Sequence, residues 1–291
     1  MMKRFLLASV LLGVLCPCLP AQSLYEPGEL HKKAPAVPAY VDFAGDTVRF
    51  DRQDFHERLD RELISFTYMH TNTTLMLKRS ARYFSIVTPL LRQEGIPEDF
   101  KYLMAIESNL DPKARSAAGA AGLWQIMKST AQSHGLEVNS EVDERYNVVK
   151  ATVAACEYFK EAYAKFGDWI TVAASYNAGQ NGIERRLEHQ KQDSALNLWM
   201  AEETSRYIFR LLAVKMLFAD PQAFGFDVTV PDMYPQIPAR RTVTVSGPVP
   251  SLVDFAAENG VTYAALKEAN LWLRSDKLTN KSGRTYSISI P

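Results

Sequence analysis

The chain has 291 residues, enough for one large domain or two smaller ones. Hydrophobic residues make up 47% and charged residues 23%, an ordinary globular composition that excludes a wholly disordered, collagen-like or coiled-coil chain. Lys plus Arg balances Asp plus Glu, 33 against 33, so the basic excess usual in a nucleic-acid binder is missing.

Residues 1–21 read as a secretory signal peptide. Lys3 and Arg4 precede an apolar run from Phe5 to Cys16, and Leu19-Pro20-Ala21 offers a cleavage site before Gln22. The run is too short to span a bilayer as a mature helix. Cys16 and Cys18 suggest a lipid anchor, but Val14-Leu15 and Cys16-Pro17 lack the small residues expected before a lipidated Cys. Membrane attachment is left open. Cleavage would remove two cationic residues and no acidic one, leaving 31 against 33, a net charge of −2. One cysteine would remain, Cys156, so no intramolecular disulfide is available. It shares a helical stripe with Val149, Thr152, Phe159, Tyr163 and Phe166, which favours a small core residue over a nucleophile. The five His are scattered without metal-ligand spacing, and no metal or cofactor is expected.

Residues 22–50 are Pro-rich and weakly patterned, and predict an extended arm. From Asp51 to Phe218, apolar steps of three and four recur between Gly and Pro breaks. This pattern predicts an all-α domain over 51–220. Residues 221–240, with Pro221, Pro231, Pro235 and Pro238, predict a linker. Arg241 to Ser246 alternates like a strand, Ser251 to Glu258 and Tyr263 to Asn270 look helical, and Arg284 to Ile290 alternates again. A small α+β module over 241–291 follows, and the linker predicts that it folds as an independent unit.

The chemistry concentrates between Pro97 and Ala131. Pro97, Glu98 and Asp99 suit a helix start, and Pro112 should stop that helix around Asp111. Phe100, Leu103, Met104 and Leu110 form its apolar stripe. Glu107 lies seven, four and three residues after the first three, so it falls on the buried face. A carboxylate there is either paired with a Lys or Arg or held protonated by desolvation, ready to donate a proton. The Ala-, Gly- and Ser-rich stretch Lys113 to Gly122 lets backbone approach a ligand, which favours the second reading. Gly122-Leu123-Trp124-Gln125 then predicts a new helix. Its Trp and Gln suit a sugar ring, although a core position fits Trp124 as well.

Several motifs here resemble the lytic transglycosylases with a soluble-lytic-transglycosylase (SLT) domain, a family with a goose-type-lysozyme-like fold. They are Glu107-Ser108, Ser116 nine residues after the Glu, Gly119-Ala120-Ala121-Gly122-Leu123-Trp124-Gln125, Tyr176-Asn177-Ala178-Gly179, and Glu203-Thr204 with Tyr207. Asp143-x-Arg145 and Thr152 also match, and the resemblance covers about Phe66 to Phe218. Lys128 departs from the family, where Pro usually follows the Met. The tail resembles a LysM module, but Gly247-Pro248-Val249-Pro250 replaces the Gly-Asp-Thr turn that often helps hold N-acetylglucosamine chains.

The resemblance implies a mainly α protein: a lysozyme-like catalytic domain followed by a LysM-like module. It also implies cleavage of the β-1,4 bond between N-acetylmuramic acid and N-acetylglucosamine in peptidoglycan. Glu107 would act as acid and then base, leaving a 1,6-anhydro end. Ser116 and Gln125 would orient the acetamido group, Asn177 and Tyr207 would hydrogen-bond near Glu107, and Tyr176 and Met127 would line the cleft. The implied partner is the glycan strand, and the implied location the periplasm or cell envelope. A hydrolytic lysozyme-type muramidase and a non-catalytic wall binder are the alternatives.

Overall fold

The computed structural model describes residues 33–291, which form one compact unit. The signal-like segment with its two cysteines, and residues 22–32 of the arm, lie outside the described residues.

Within the stretch expected to be an extended arm, β1 (Tyr40–Phe43) and β2 (Asp46–Arg49) form an antiparallel hairpin with Tyr40 opposite Arg49. Ala44 and Gly45 both take positive φ, 55° and 97°, as a two-residue hairpin turn requires. Val41 and Phe43 on one strand, with Val48 and Phe50 on and just after the other, turn into the main core at a spacing of two. The Ala44 N–H donates to Asp99 at 2.8 Å, and Lys215 bridges the Asp42 carbonyl and Asp99.

The helices follow in order: α1 (Gln53–Tyr68), α2 (His70–Gln93), α3 (Phe100–Ser108), α4 (Lys128–Ser133), α5 (Val148–Phe166), α6 (Trp169–Ala178), α7 (Gln180–Gln190) and α8 (Glu202–Ala219). Asp168 caps α6 by accepting from the Ile170 and Thr171 N–H groups. Gly167, at φ 67°, ends α5. Helix α6 packs against α5, α7 and α8, and its residues Ile170 through Ser175 are all buried. Phe100, Phe159, Trp124 and Phe209 are fully enclosed in the core around it.

Two local expectations need correction. Helix α3 ends at Ser108, short of Asp111, because Asn109 and Leu110 both take left-handed φ near 50°. Gly122-Leu123-Trp124-Gln125 opens no helix. It is a tight turn closed by an antiparallel bridge between Ala121 and Ile126, with Gly122 at φ 74° and Gln125 at φ 47°. The next helix, α4, starts only at Lys128.

Residues 221–240 do not hang free. Phe224 and Phe226 are buried in the main core, the Tyr234 N–H donates to the Lys78 carbonyl, and Arg82 donates to the Pro235 carbonyl. In the tail, β3 (Arg241–Val245) pairs antiparallel with β4 (Tyr286–Ile290), with α9 (Leu252–Glu258) and α10 (Tyr263–Ala269) between them. Leu252, Leu266, Leu273 and Ile288 form its centre, and the same apolar cluster takes in Ala121, Val142 and Tyr146 from the helical part. The tail thus has its own apolar cluster, and the irregular segments around Ala121 and Val142–Tyr146 pack into it.

Candidate active site

Glu107 stands in the last turn of α3, with Phe100, Leu103 and Met104 fully buried on the same face. Glu107 as a residue is half-buried, and protein packs densely around its carboxyl. Desolvation is the largest influence and raises its pKa from 4.5 to about 7. The Tyr207 hydrogen bond and the Arg210 charge oppose this, and the Glu203 charge adds to it. Of the two readings of the residue, a paired carboxylate and a held proton, the second matches these surroundings. No ion pair joins Glu107 to a Lys or Arg among the described residues.

Helix α8 brings the other charged groups. Glu203, Tyr207 and Arg210 are spaced four and three residues apart, which sets them on one face of the helix. Tyr207 is buried, and its hydroxyl donates to Glu107 Oε1 at 2.6 Å. Burial is the largest cause of its raised pKa, followed by the Glu107 charge, so Tyr207 stays a donor. Helix α6 supplies Tyr176, whose hydroxyl donates to the Trp124 carbonyl at 2.6 Å and whose pKa is also held high, first by burial and then by Glu107. Asn177 follows it in the last turn of α6 and, among the described residues, makes no hydrogen bond to Glu107.

The segment Lys113–Ile126 folds back on itself. The Ser116 N–H donates to the Ala120 carbonyl, and Ser116 Oγ accepts from the Ala120 N–H at 3.0 Å. Ser116 is exposed at the tip. Gln125 donates its amide to the carbonyls of Ala114 and Gly122, which leaves its Oε1 as the remaining acceptor. Met127 is exposed at 43% and can touch a ligand. Trp124 cannot. It is fully buried, and its indole N–H donates to Thr152 Oγ1 at 2.9 Å, so the sugar-stacking role raised for it does not hold. Cys156 is buried, with its thiol pushed up to about 12 by desolvation, and belongs to the core. Val149 and Tyr163 on its stripe are exposed.

Glu203 and Arg210 were missed by the sequence reading as influences on Glu107. Their helical spacing from Tyr207 was the available signal. One partly buried carboxyl near neutral pKa, an acceptor amide and a tyrosine donor can move a proton to and from a bound ligand.

Residues 88–198 match the family model of the transglycosylase SLT domain, and residues 241–291 match that of the soluble lytic transglycosylase C-terminal LysM-like domain. The chain is 27% identical over 257 residues to membrane-bound lytic murein transglycosylase D of Escherichia coli K12, covering 86% of this chain and 55% of that protein. The protein of the same name from Escherichia coli O6:H1 matches to the same extent. The chain thus spans about half the length of the curated relatives it matches. Glu107, Ser116, Gln125, Met127, Tyr176 and Asn177 lie inside the matched 88–198 region, and Tyr207 lies beyond it.

Proposed function

We propose that this chain, which carries a transglycosylase SLT domain and a LysM-like C-terminal domain, is a peptidoglycan lytic transglycosylase. The observation that carries the reading is Glu107, a single carboxyl held near neutral pKa by its surroundings, with Tyr207 on one of its oxygens. Its substrate would be the β-1,4 bond between N-acetylmuramic acid and N-acetylglucosamine. The cell envelope of the exported chain would be the place of action.

Most glycosidases divide the work between two carboxyl groups. Here Glu107 gives its proton to the glycosidic oxygen as the bond to the anomeric carbon breaks. The substrate's own acetamido group stabilises the cationic carbon, oriented by Gln125 Oε1 and Ser116. Glu107, now ionised, takes the proton of the 6-hydroxyl, whose oxygen closes on the anomeric carbon. Atoms balance without water, and Glu107 ends protonated as it began. A pKa near the working pH lets one group serve both steps. Tyr207 and Arg210 favour the ionised form between them, and the apolar α3 face favours the protonated form. Tyr176, Asn177 and Met127 line the cleft around the sugar. No cofactor takes part.

A hydrolytic muramidase has one observation in its favour, the Glu203 carboxylate close enough to raise the Glu107 proton affinity. A water-derived oxygen on the new sugar end would select it. The direct test is Glu107→Gln acting on soluble glycan strands. The variant should fold and cleave nothing, because its amide cannot donate and then accept the proton. Near-normal cleavage would end the single-acid reading, and a wild type without any cleavage would leave wall binding.

A further inference from the structure

The Lys113–Ile126 loop, which presents Ser116 and Gln125, is held from behind by one buried guanidinium. Arg145 donates through Nε and Nη2 to the two oxygens of Asp143, at 2.9 and 2.7 Å. That bidentate pair fixes the plane of the guanidinium. Its Nη1 donates to the Gly119 carbonyl at 2.8 Å and the Ile126 carbonyl at 3.1 Å, gripping both arms of the loop. Gly122 presses on the same backbone: a Cβ there would lie 2.0 Å from the Arg145 carbonyl oxygen. Where Asp143–Tyr146 sits, the loop must sit.

Asp143–Tyr146 is in turn held by the tail. The Asp143 N–H donates to the Trp272 carbonyl at 2.9 Å, and the Arg274 N–H donates to the Glu141 carbonyl at 2.7 Å. Val142 and Leu273 form an antiparallel bridge between these bonds. The Arg274 guanidinium lies 4.4 Å over the Tyr146 ring. Glu141 accepts from both the N–H and the hydroxyl of Thr279, and Tyr286 donates to Glu137. Ala121 in the loop itself is buried in the tail's apolar cluster.

We propose that the C-terminal module is a clamp on the active site: it seats Val142–Tyr146, through which Arg145 positions the loop carrying Ser116 and Gln125. The proposal rests on the transglycosylase reading of that loop. Arg145 and Leu273 are positioning residues, neither of which touches substrate. A module that only tethers the chain to the wall acts through affinity for insoluble wall. A clamp acts on turnover of a soluble substrate.

The test uses the full chain with soluble glycan strands, and compares Leu273→Ala, Arg274→Ala, Arg145→Lys and the Leu273→Ala/Arg145→Lys double variant. Lysine keeps the charge beside Asp143, but its three donors on one nitrogen cannot reproduce the four bonds of the planar guanidinium. Turnover should fall about tenfold to hundredfold in Leu273→Ala and Arg145→Lys, as small misplacements remote from the chemistry do. The alkaline limb of the pH profile should not move, because α3, α6 and α8 around Glu107 are untouched. The double variant should fall no further than the worse single, since both act on one contact chain. Folded tail variants with wild-type turnover on soluble strands, or losses confined to insoluble wall, overturn the clamp. So do losses that multiply in the double variant. Should Leu273→Ala not fold, Arg274→Ala carries the comparison, because its side chain is exposed and its loss removes the guanidinium from the Tyr146 ring at the cost of one bond to the Leu271 carbonyl. A wild type that leaves reducing ends refutes the transglycosylase reading alone, and the clamp comparison then still stands on the cleavage rate.

Discussion

Replacing Glu107 by Gln should change how stability depends on pH. The folded pKa is about 7 against 4.5 for the ordinary group, so the native state binds the proton more tightly than the unfolded chain does. Below pH 4.5 both states are protonated and the full contribution is present. As pH rises from 4.5 through about 7 the native chain must either keep a proton the unfolded chain has lost or bury a charge, and stability falls. Above that pH the loss levels off. At about 1.4 kcal/mol per pH unit, the whole descent is about 3 kcal/mol. The Gln side chain has no such proton and still offers an oxygen to the Tyr207 hydroxyl, so its curve should lack that descent. Urea melts of both proteins from about pH 4 to about pH 8 measure the difference. The other titrating groups are common to the two chains, and the two tyrosines coupled to Glu107 titrate above this range. The variant should gain about 3 kcal/mol on wild type between the two ends. Parallel curves would mean that the α3 face does not hold the proton, whatever the family.

Arg210→Ala removes a charge that lowers the Glu107 pKa, so the alkaline limb of the activity profile should move to higher pH, and a shift to lower pH would contradict the arrangement. Gly122→Ala places a Cβ 2.0 Å from the Arg145 carbonyl oxygen at φ 74°. Denaturant melts should show a loss of about 3 kcal/mol together with reduced cleavage, and an unchanged midpoint would show that the backbone can yield there. Trp124→Phe leaves the Thr152 hydroxyl without its indole donor and should cost about 1–3 kcal/mol in a melt while cleavage persists. Cys156, with its thiol pushed up to about 12, should resist thiol reagents at neutral pH until the chain unfolds, and prompt labelling of the native protein would refute its burial.

The helical domain was legible because its apolar steps of three and four run on through long segments that bury one face. Glu107 was legible for the same reason: a carboxyl on an apolar stripe breaks the pattern in a way only burial or chemistry explains. The Tyr40–Phe50 hairpin was not legible although Val41, Phe43, Val48 and Phe50 alternate, because strands of four residues carry too few inward side chains to stand out beside a Pro-rich arm. The false helix at Gly122 followed from reading helix where the backbone takes positive φ at both ends of a turn, which a residue such as Gln125 does not announce. The contact between tail and loop was the least legible. Ala121, Val142, Tyr146 and Leu273 sit in irregular segments with no period, and their partners lie far along the chain. A Pro-rich linker looks the same whether it spans a gap or lies along α2, as residues 234 and 235 do.

In the proposed mechanism the 6-hydroxyl, and not water, reaches the anomeric carbon after Glu107 has given up its proton. Digesting purified glycan strands in heavy-oxygen water and weighing the fragments tests this directly. Unlabelled 1,6-anhydro ends are expected from the wild type, and no new ends at all from Glu107→Gln. Reducing ends that carry the heavy oxygen would contradict it and make the protein a hydrolase.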